Sequence, residues 1–289
     1  MITISKYRNH EKVAELEVTK NFSFPGGEVG ISINERNHKF FEVDGELVIR
    51  ASLTSSDDFM KLVMVTDALR IINPNQNISL FVPYFAYARQ DRVCNPGESF
   101  SVKAFANLIN SLNYYRVYIC DPHSDVTPSV LDRVKVFTQF DVVNNWIEFT
   151  NRARPGILIA PDAGANKKTS TIAKYFMHDK FIRADKLREL STGKIIETVV
   201  YCDDFKGRDV ICLDDIGDGM KTFTELARAC KAKNCGKFVV YVTHGIFSKG
   251  VDICFENQID ELWTTDSFNT EFDKRVNVFR LDRFLLNIR

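Results

Sequence analysis

Five short apolar runs constrain this chain more than any other feature: ISLFVPY (78–84), VYIC (117–120), ILIAP (157–161), VICL (210–213) and FVVYVT (238–243). A continuous apolar run of this length suits a strand buried on both faces, and a parallel sheet covered by helices provides that setting. Helix-like segments at 58–72, 101–112, 169–176 and 222–233 lie between the runs. The alternation predicts an α/β architecture of mainly parallel sheets flanked by helices.

In open sheets of this kind the ligand sits beyond the carboxyl ends of the strands. Here the runs end on polar residues, most sharply in VICLDDIGDGMKTF (210–223). Asp214 and Asp215 close the apolar run, a glycine-bearing loop follows, and a helix is predicted to open at Thr222. Such a loop aims free backbone N–H groups and the positive end of the helix dipole at an anion, ideally a phosphate. The two carboxylates suit vicinal sugar hydroxyls or a metal ion. The plainer reading is a capping box, since Thr222 to Glu225 spells T-x-x-E.

At 289 residues the length favours two domains, and NNWIEFTNRARPG supplies a polar boundary near 140–155. The expected division is residues 1–145 and 146–289. Lys plus Arg equals Asp plus Glu at 38 each, so no overall field recruits nucleic acid or an anionic membrane. No apolar stretch reaches membrane-span length, and the first residues lack a signal-peptide core. The seven cysteines are scattered without a C-x-x-C pair, and Cys120, Cys212 and Cys254 lie in apolar runs. A cytoplasmic protein with reduced, buried thiols is the expectation.

Read in order, the strand ends PYFAYARQDR (83–92), ICDPHSDVT (119–127), APDAGANKK (160–168), LDDIGDGMKT (213–222) and VTHGIFS (242–248) form a constellation. With YARQDR, DPHSD and PDAG in this order, the chain resembles the ribose-phosphate pyrophosphokinases, or phosphoribosyl pyrophosphate synthetases, from about Phe24 to Gly250. The resemblance implies two tandem phosphoribosyltransferase-type domains. It also implies transfer of the diphosphoryl group of ATP to the 1-hydroxyl of ribose 5-phosphate, with Mg2+, for nucleotide or NAD synthesis.

Carried over residue by residue, the resemblance assigns Arg89, Gln90, Asp91 and His123 to ATP. It assigns His123 and Asp162 to the metal, with Asp121 either a further contact or a turn residue. Asp214, Asp215, Asp218, Gly219, Met220, Lys221 and Thr222 match the ribose 5-phosphate loop, although the family pattern D-T-x-G-T reads DGMKT here. Gly219 thus stands in place of a threonine, and Lys221 in place of a glycine. The catalytic K-x-R pair of a mobile loop falls on Lys186 and Arg188, with Lys180 and Arg183 as competitors. FPGGE (24–28) matches a strand that completes a neighbouring subunit's adenine site, which brings in Phe24, Gly26 and Glu28. The D-G-E at Asp44 lies too far along the chain to take that role. A shared site implies a homo-oligomer, a dimer or a hexamer. The stretch between Arg92 and Ser101 is shorter than in the long-loop regulated enzymes. Two rival readings are a catalytically silent regulatory relative and a phosphoribosyltransferase; the latter has no need of YARQDR or DPHS.

Overall fold

The computed structural model describes residues 2–8, 11–17, 20–33, 40, 45–150, 156–176, 181–188 and 195–285. It divides into two compact units, Met1–Phe137 with Leu281–Arg289, and Thr138–Arg280.

In the first unit the strands are β1 (Ile2–Arg8), β2 (Glu11–Glu17), β3 (Lys20–Ser23), β4 (Val29–Ser32), β5 (Glu46–Ala51), β6 (Ile78–Val82), β7 (Val117–Cys120) and β8 (Val134–Phe137). Its helices are α1 (Ser56–Ile72), α2 (Ser101–Ser111), the short α3 (Val126–Ser129) and a last helical turn at Asp282–Leu285. Six strands form one sheet in the order β2-β1-β5-β6-β7-β8, parallel from β5 to β8, with β1 and β2 antiparallel at one edge. Helix α1 starts where Ser55 Oγ accepts the Asp58 N–H at 3.2 Å, satisfying a donor that has no partner within the helix. Its Leu62, Val65 and Leu69 pack with Val102 and Ile109 of α2 on Leu47, Ile49, Leu80 and Ile119 of the sheet. The opposite sheet face is also covered: Phe81, Tyr118 and Phe137 are buried, and Phe137 lies 5.1 Å from Phe284 of the C-terminal turn. Burial on both faces explains why β6 and β7 are uninterrupted apolar runs.

The second unit contains α4 (Gln139–Thr150), β9 (Ile157–Ala160), α5 (Asn166–Tyr175), β10 (Ile182–Arg188), β11 (Ile195–Val200), β12 (Val210–Gly217), α6 (Lys221–Ala232), β13 (Phe238–Gly245), α7 (Asp252–Phe255), β14 (Glu261–Thr265) and β15 (Val276–Phe279). Its sheet runs β11-β10-β9-β12-β13-β14-β15, parallel except for the β10–β11 pair. Phe223, Leu226, Ala227 and Cys230 of α6 seal one face, against Cys212, Val240 and Val242. Trp146 of α4 seals the other, with ring centroids 5.0 Å from Tyr241 and 5.5 Å from Trp263. The mainly parallel α/β class is as the sequence predicts. All seven cysteines are free, and Cys120, Cys212, Cys230 and Cys254 are buried. No helix among the described residues is long and apolar enough to cross a membrane.

Three local expectations change. The apolar run at 210–213 is only the first half of β12, which continues through Asp214 and Asp215 to pair Gly217 with Gly245. The acidic pair is therefore held by a sheet rather than by a loop. FPGGE is not a strand but the turn between β3 and β4, closed by Phe24 N–H to Glu28 O at 2.8 Å and Gly27 N–H to Phe24 O at 2.9 Å. Gly27 supplies the positive φ of 95° that this turn requires. Finally, Lys186 and Arg188 lie on β10, not on a loop: their partners on β11 are Thr198 and Ile195.

Candidate functional site

The second unit gathers its polar residues at the carboxyl ends of β9, β12, β13 and β14. Asp214 and Asp215 stand side by side, each carboxylate accepting the N–H of the next residue, at 2.9 and 3.0 Å. Burial first, then the adjoining Asp215 and the field of Asp162, hold the Asp214 carboxyl well above the usual range. Asp162 follows β9, and its Oδ1 accepts the Ala165 N–H at 3.2 Å at the entrance to α5. Lys168 Nζ, from α5, answers this cluster at 3.7 Å from Asp215 Oδ2. Lys168 is the last residue of APDAGANKK, and its role depends on a contact that the sequence alone does not show.

Such crowding stores repulsion that a ligand with hydroxyls or a cation can relieve. Because native Asp214 holds its proton more tightly than in the unfolded chain, the protein loses stability as pH rises from the unfolded value of about 4 toward the raised native one. Asp214→Asn is therefore expected to raise the melting temperature by about 2–4 °C at pH 7. The gain should vanish near pH 4; calorimetry at the two pH values checks this.

Beyond the pair the chain turns through Gly217, Asp218 and Gly219 into α6. The helix begins at Lys221, so Thr222 sits inside it and the expected capping box does not form. Its N-cap is Met220, in the left-handed region at φ 57° and 2% exposed, with no side chain capping the helix. Met220 is thus a core residue, and only its backbone reaches the loop. Among the described residues no side chain caps the first N–H groups of α6, which is the arrangement that receives a phosphate. Lys221, by contrast, extends along the helix flank to Glu225, 3.5 Å away and largely exposed.

The floor of this loop is the end of β13. Ile246 and Phe247 both donate backbone N–H groups to Gly217 O, at 2.9 and 3.0 Å. A side chain at Gly245 would meet the Phe247 ring at 2.4 Å and Thr264 Oγ1 at 2.7 Å, so only glycine lets this turn fold back. His244 is 2% exposed and its Nδ1 lies 2.8 Å from Ser267 Oγ. Ser267 Oγ donates to Thr243 O at 2.9 Å, so Nδ1 carries the hydrogen toward the serine. The sequence alone assigns no role to His244 or Ser267. The polar residues ending FVVYVTHG and ELWTTDS were the available signal.

The K-x-R segment overhangs the same end. Strand β10 pairs with β9 only as far as Arg183, opposite Ala160; from Ala184 to Arg188 it continues as a two-stranded ribbon with β11. Tyr201 Oη braces the ribbon on Asp185 at 2.9 Å. Lys180 lies outside the described residues.

In the first unit, two motifs meet. After β6 the chain makes a tight turn, with Tyr87 at φ 63° and Gln90 N–H on Tyr87 O at 2.9 Å. It leaves Arg89 and Gln90 exposed and Asp91 7% exposed. Asp91 holds Arg92 at 2.8 and 3.2 Å, and its carboxyl sits below the usual range through that guanidinium, then the Ser124 hydroxyl and the His123 charge. YARQD and DPHS therefore form one surface, with His123 exposed upon it. Asp121 is 1% exposed at φ 35°, the geometry of a turn residue. The short 92–101 stretch closes on itself, Cys94 and Asn95 N–H groups both reaching Glu98 Oε2. Phe24 and Glu28 are exposed at the β3–β4 turn, and Phe22 meets Phe24 edge to face at 5.0 Å. A side chain at Gly26 would lie 2.6 Å from Glu28 Oε2. Among the described residues, no group of three or more His, Cys, Asp or Glu side chains converges with metal-ligand spacing.

Comparison with known proteins finds relatives along most of the chain. A family model for the N-terminal domain of ribose phosphate pyrophosphokinase matches residues 7–112. The ribose-phosphate pyrophosphokinase of Campylobacter jejuni is 31% identical over 84% of this chain and 77% of its own length. That of Thermococcus kodakarensis is 30% identical over 90% and 88%. The crystal structure of phosphoribosylpyrophosphate synthetase from Mycobacterium smegmatis matches with a TM-score of 0.77 at 19% identity, covering 93% of this chain and 87% of that one.

Proposed function

The chain belongs to the ribose-phosphate pyrophosphokinase family, and on that premise we propose how its own residues carry the reaction. It transfers the β,γ-diphosphoryl group of ATP to the 1-hydroxyl of ribose 5-phosphate, giving 5-phosphoribosyl 1-pyrophosphate and AMP. The sugar oxygen forms a bond to the β-phosphorus, the bond from that phosphorus to the AMP oxygen breaks, and the hydroxyl proton is lost.

The open N-terminus of α6 carries this reading, set as it is directly after the Asp214–Asp215 pair. Backbone N–H groups of 218–222 receive the 5-phosphate, and the carboxylates accept the sugar hydroxyls. Arg89 and Gln90, on the exposed turn of the first unit, bind ATP, and the next residue, Asp91, holds Arg92 and steadies the DPHS turn through Ser124. A guanidinium on an exposed turn can stack on adenine or grip phosphate bidentately. Lys186 and Arg188 supply positive charge where negative charge spreads over the transferring oxygens. Incubation with ATP, magnesium and ribose 5-phosphate tests the whole: chromatography should show equimolar AMP and 5-phosphoribosyl 1-pyrophosphate, and ADP or no product would overturn it.

Magnesium fits the donor set. Asp162 stands among carboxylates that already repel one another, and a phosphate-borne magnesium needs only one or two protein oxygens beside its waters. In the second unit Asp162 would hold it, directly or through water; in the first unit His123 is the candidate, with buried Asp121 a less accessible one. When bound it neutralises phosphate charge.

The working form is a cytoplasmic homo-oligomer, at least a dimer. Phe24 is 53% exposed and Phe22 44%, side by side on the β3–β4 hairpin, an arrangement that a partner surface would bury. Sedimentation at working concentration should show a dimer or larger, and Phe24→Ala should weaken both assembly and ATP use by about tenfold. A fully active monomer would remove Phe24, Gly26 and Glu28 from the adenine site.

A further inference from the structure

We propose that Lys249 is a ligand of the substrate's 5-phosphate, an assignment that rests on the sugar-phosphate reading of the loop at 217–222. Gly219 has no side chain, and its open space is bordered by Lys249: Cε and Cδ lie 3.7 and 3.8 Å from where a Cβ would stand. The ammonium, one bond past Cε, is therefore within reach of the loop that wraps the phosphate.

The backbone fixes that approach. Lys249 sits on the turn after β13, whose Ile246 and Phe247 N–H groups hold Gly217 O and whose Gly250 N–H bonds Phe247 O at 2.8 Å. The turn is anchored from below by the His244–Ser267–Thr243 chain and by Asn269 Nδ2 on Gly245 O at 3.1 Å. The loop and the lysine are thus parts of one hydrogen-bonded piece.

The charge pattern points the same way. Lys249 is exposed and forms no hydrogen bond or ion pair with the described residues. An unpaired ammonium beside the positive end of α6 is unfavourable until an anion lies between them, when both interactions become attractive. Lys221, the other lysine of the loop region, is engaged with Glu225 along the helix. A glycine at 219 offers no hydroxyl donor, and the lysine from the neighbouring strand end supplies a donor in its place.

Initial rates for Lys249→Ala and Lys249→Arg, at low and high salt, test this. Lys249→Ala should raise KM for ribose 5-phosphate about tenfold, the scale of one lost charge-assisted hydrogen bond, and leave KM for ATP unchanged. Lys249→Arg should recover most of the loss, and the alanine effect should shrink at high salt. A KM within twofold of wild type, or equal rises for both substrates, would overturn the assignment. Calorimetry of ribose 5-phosphate with wild-type protein separates the two levels. If wild type neither binds nor turns over the sugar, the loop reading fails; if it does both while Lys249→Ala matches it, only the lysine is wrong.

Discussion

Lys186→Ala is expected to lower kcat by about a thousandfold or more while ATP binding changes only a few-fold. Phosphoryl-type transfer asks little covalent chemistry of a protein. Catalysis comes from positioning and from cations that meet the charge spread over the transferring oxygens, and one such group contributes about 10³–10⁵. A charge that acts mainly in the transition state moves kcat and leaves ground-state binding nearly intact. The backbone supports this role: β10 leaves the sheet after Arg183 and carries Lys186 and Arg188 beyond the carboxyl end of β9, where Asp162 begins. A register shift between Leu187 and Arg188 marks a bulge, the device by which ribbons re-aim residues near sites. Arg188→Ala should behave alike. Single-turnover rates and calorimetric ATP binding provide the check. A crippling Arg183→Ala beside a mild Lys186→Ala would show that the K-x-R register is misplaced.

Much of this was legible in the sequence because both faces of each central strand are buried. Continuous apolar runs such as VYIC and FVVYVT have no other economical use, and the helices between them follow from α/β connectivity. The acidic pair, Asp162, and the ATP motif stood out because each interrupts an apolar run at its carboxyl end. The errors came from interactions that depend on pairing between segments distant in sequence. Strand β12 outruns its apolar stretch because β13 continues beside it, through Ile216 opposite His244 and Gly217 opposite Gly245. Lys186 and Arg188 are extended because β11 pairs with them, and RADKLRE by itself reads equally well as an exposed helix. Thr222 fails as a cap because buried Met220 starts the helix earlier, a tertiary packing choice. Lys168, Lys249 and the His244–Ser267 pair act across elements, through distances that no local spacing encodes.

Removing the metal is expected to abolish turnover altogether. ATP carries clustered negative charge, and the second unit holds the carboxylates of Asp162, Asp214 and Asp215 near one another, with Lys168 Nζ 3.7 Å from Asp215. A polyphosphate entering that field needs a divalent cation between. Excess chelator should therefore bring the rate below about a thousandth of its starting value, and added magnesium should restore it. The protein's melting temperature should barely move, because the ion arrives with the nucleotide. Asp162→Asn should raise the magnesium concentration needed for half-maximal rate, by about tenfold for one lost charged ligand, with a smaller effect on KM for ribose 5-phosphate. Full turnover in excess chelator would take the metal out of the mechanism. A large fall in melting temperature on chelation would instead mean a resident ion, held by side chains beyond those the described residues bring together.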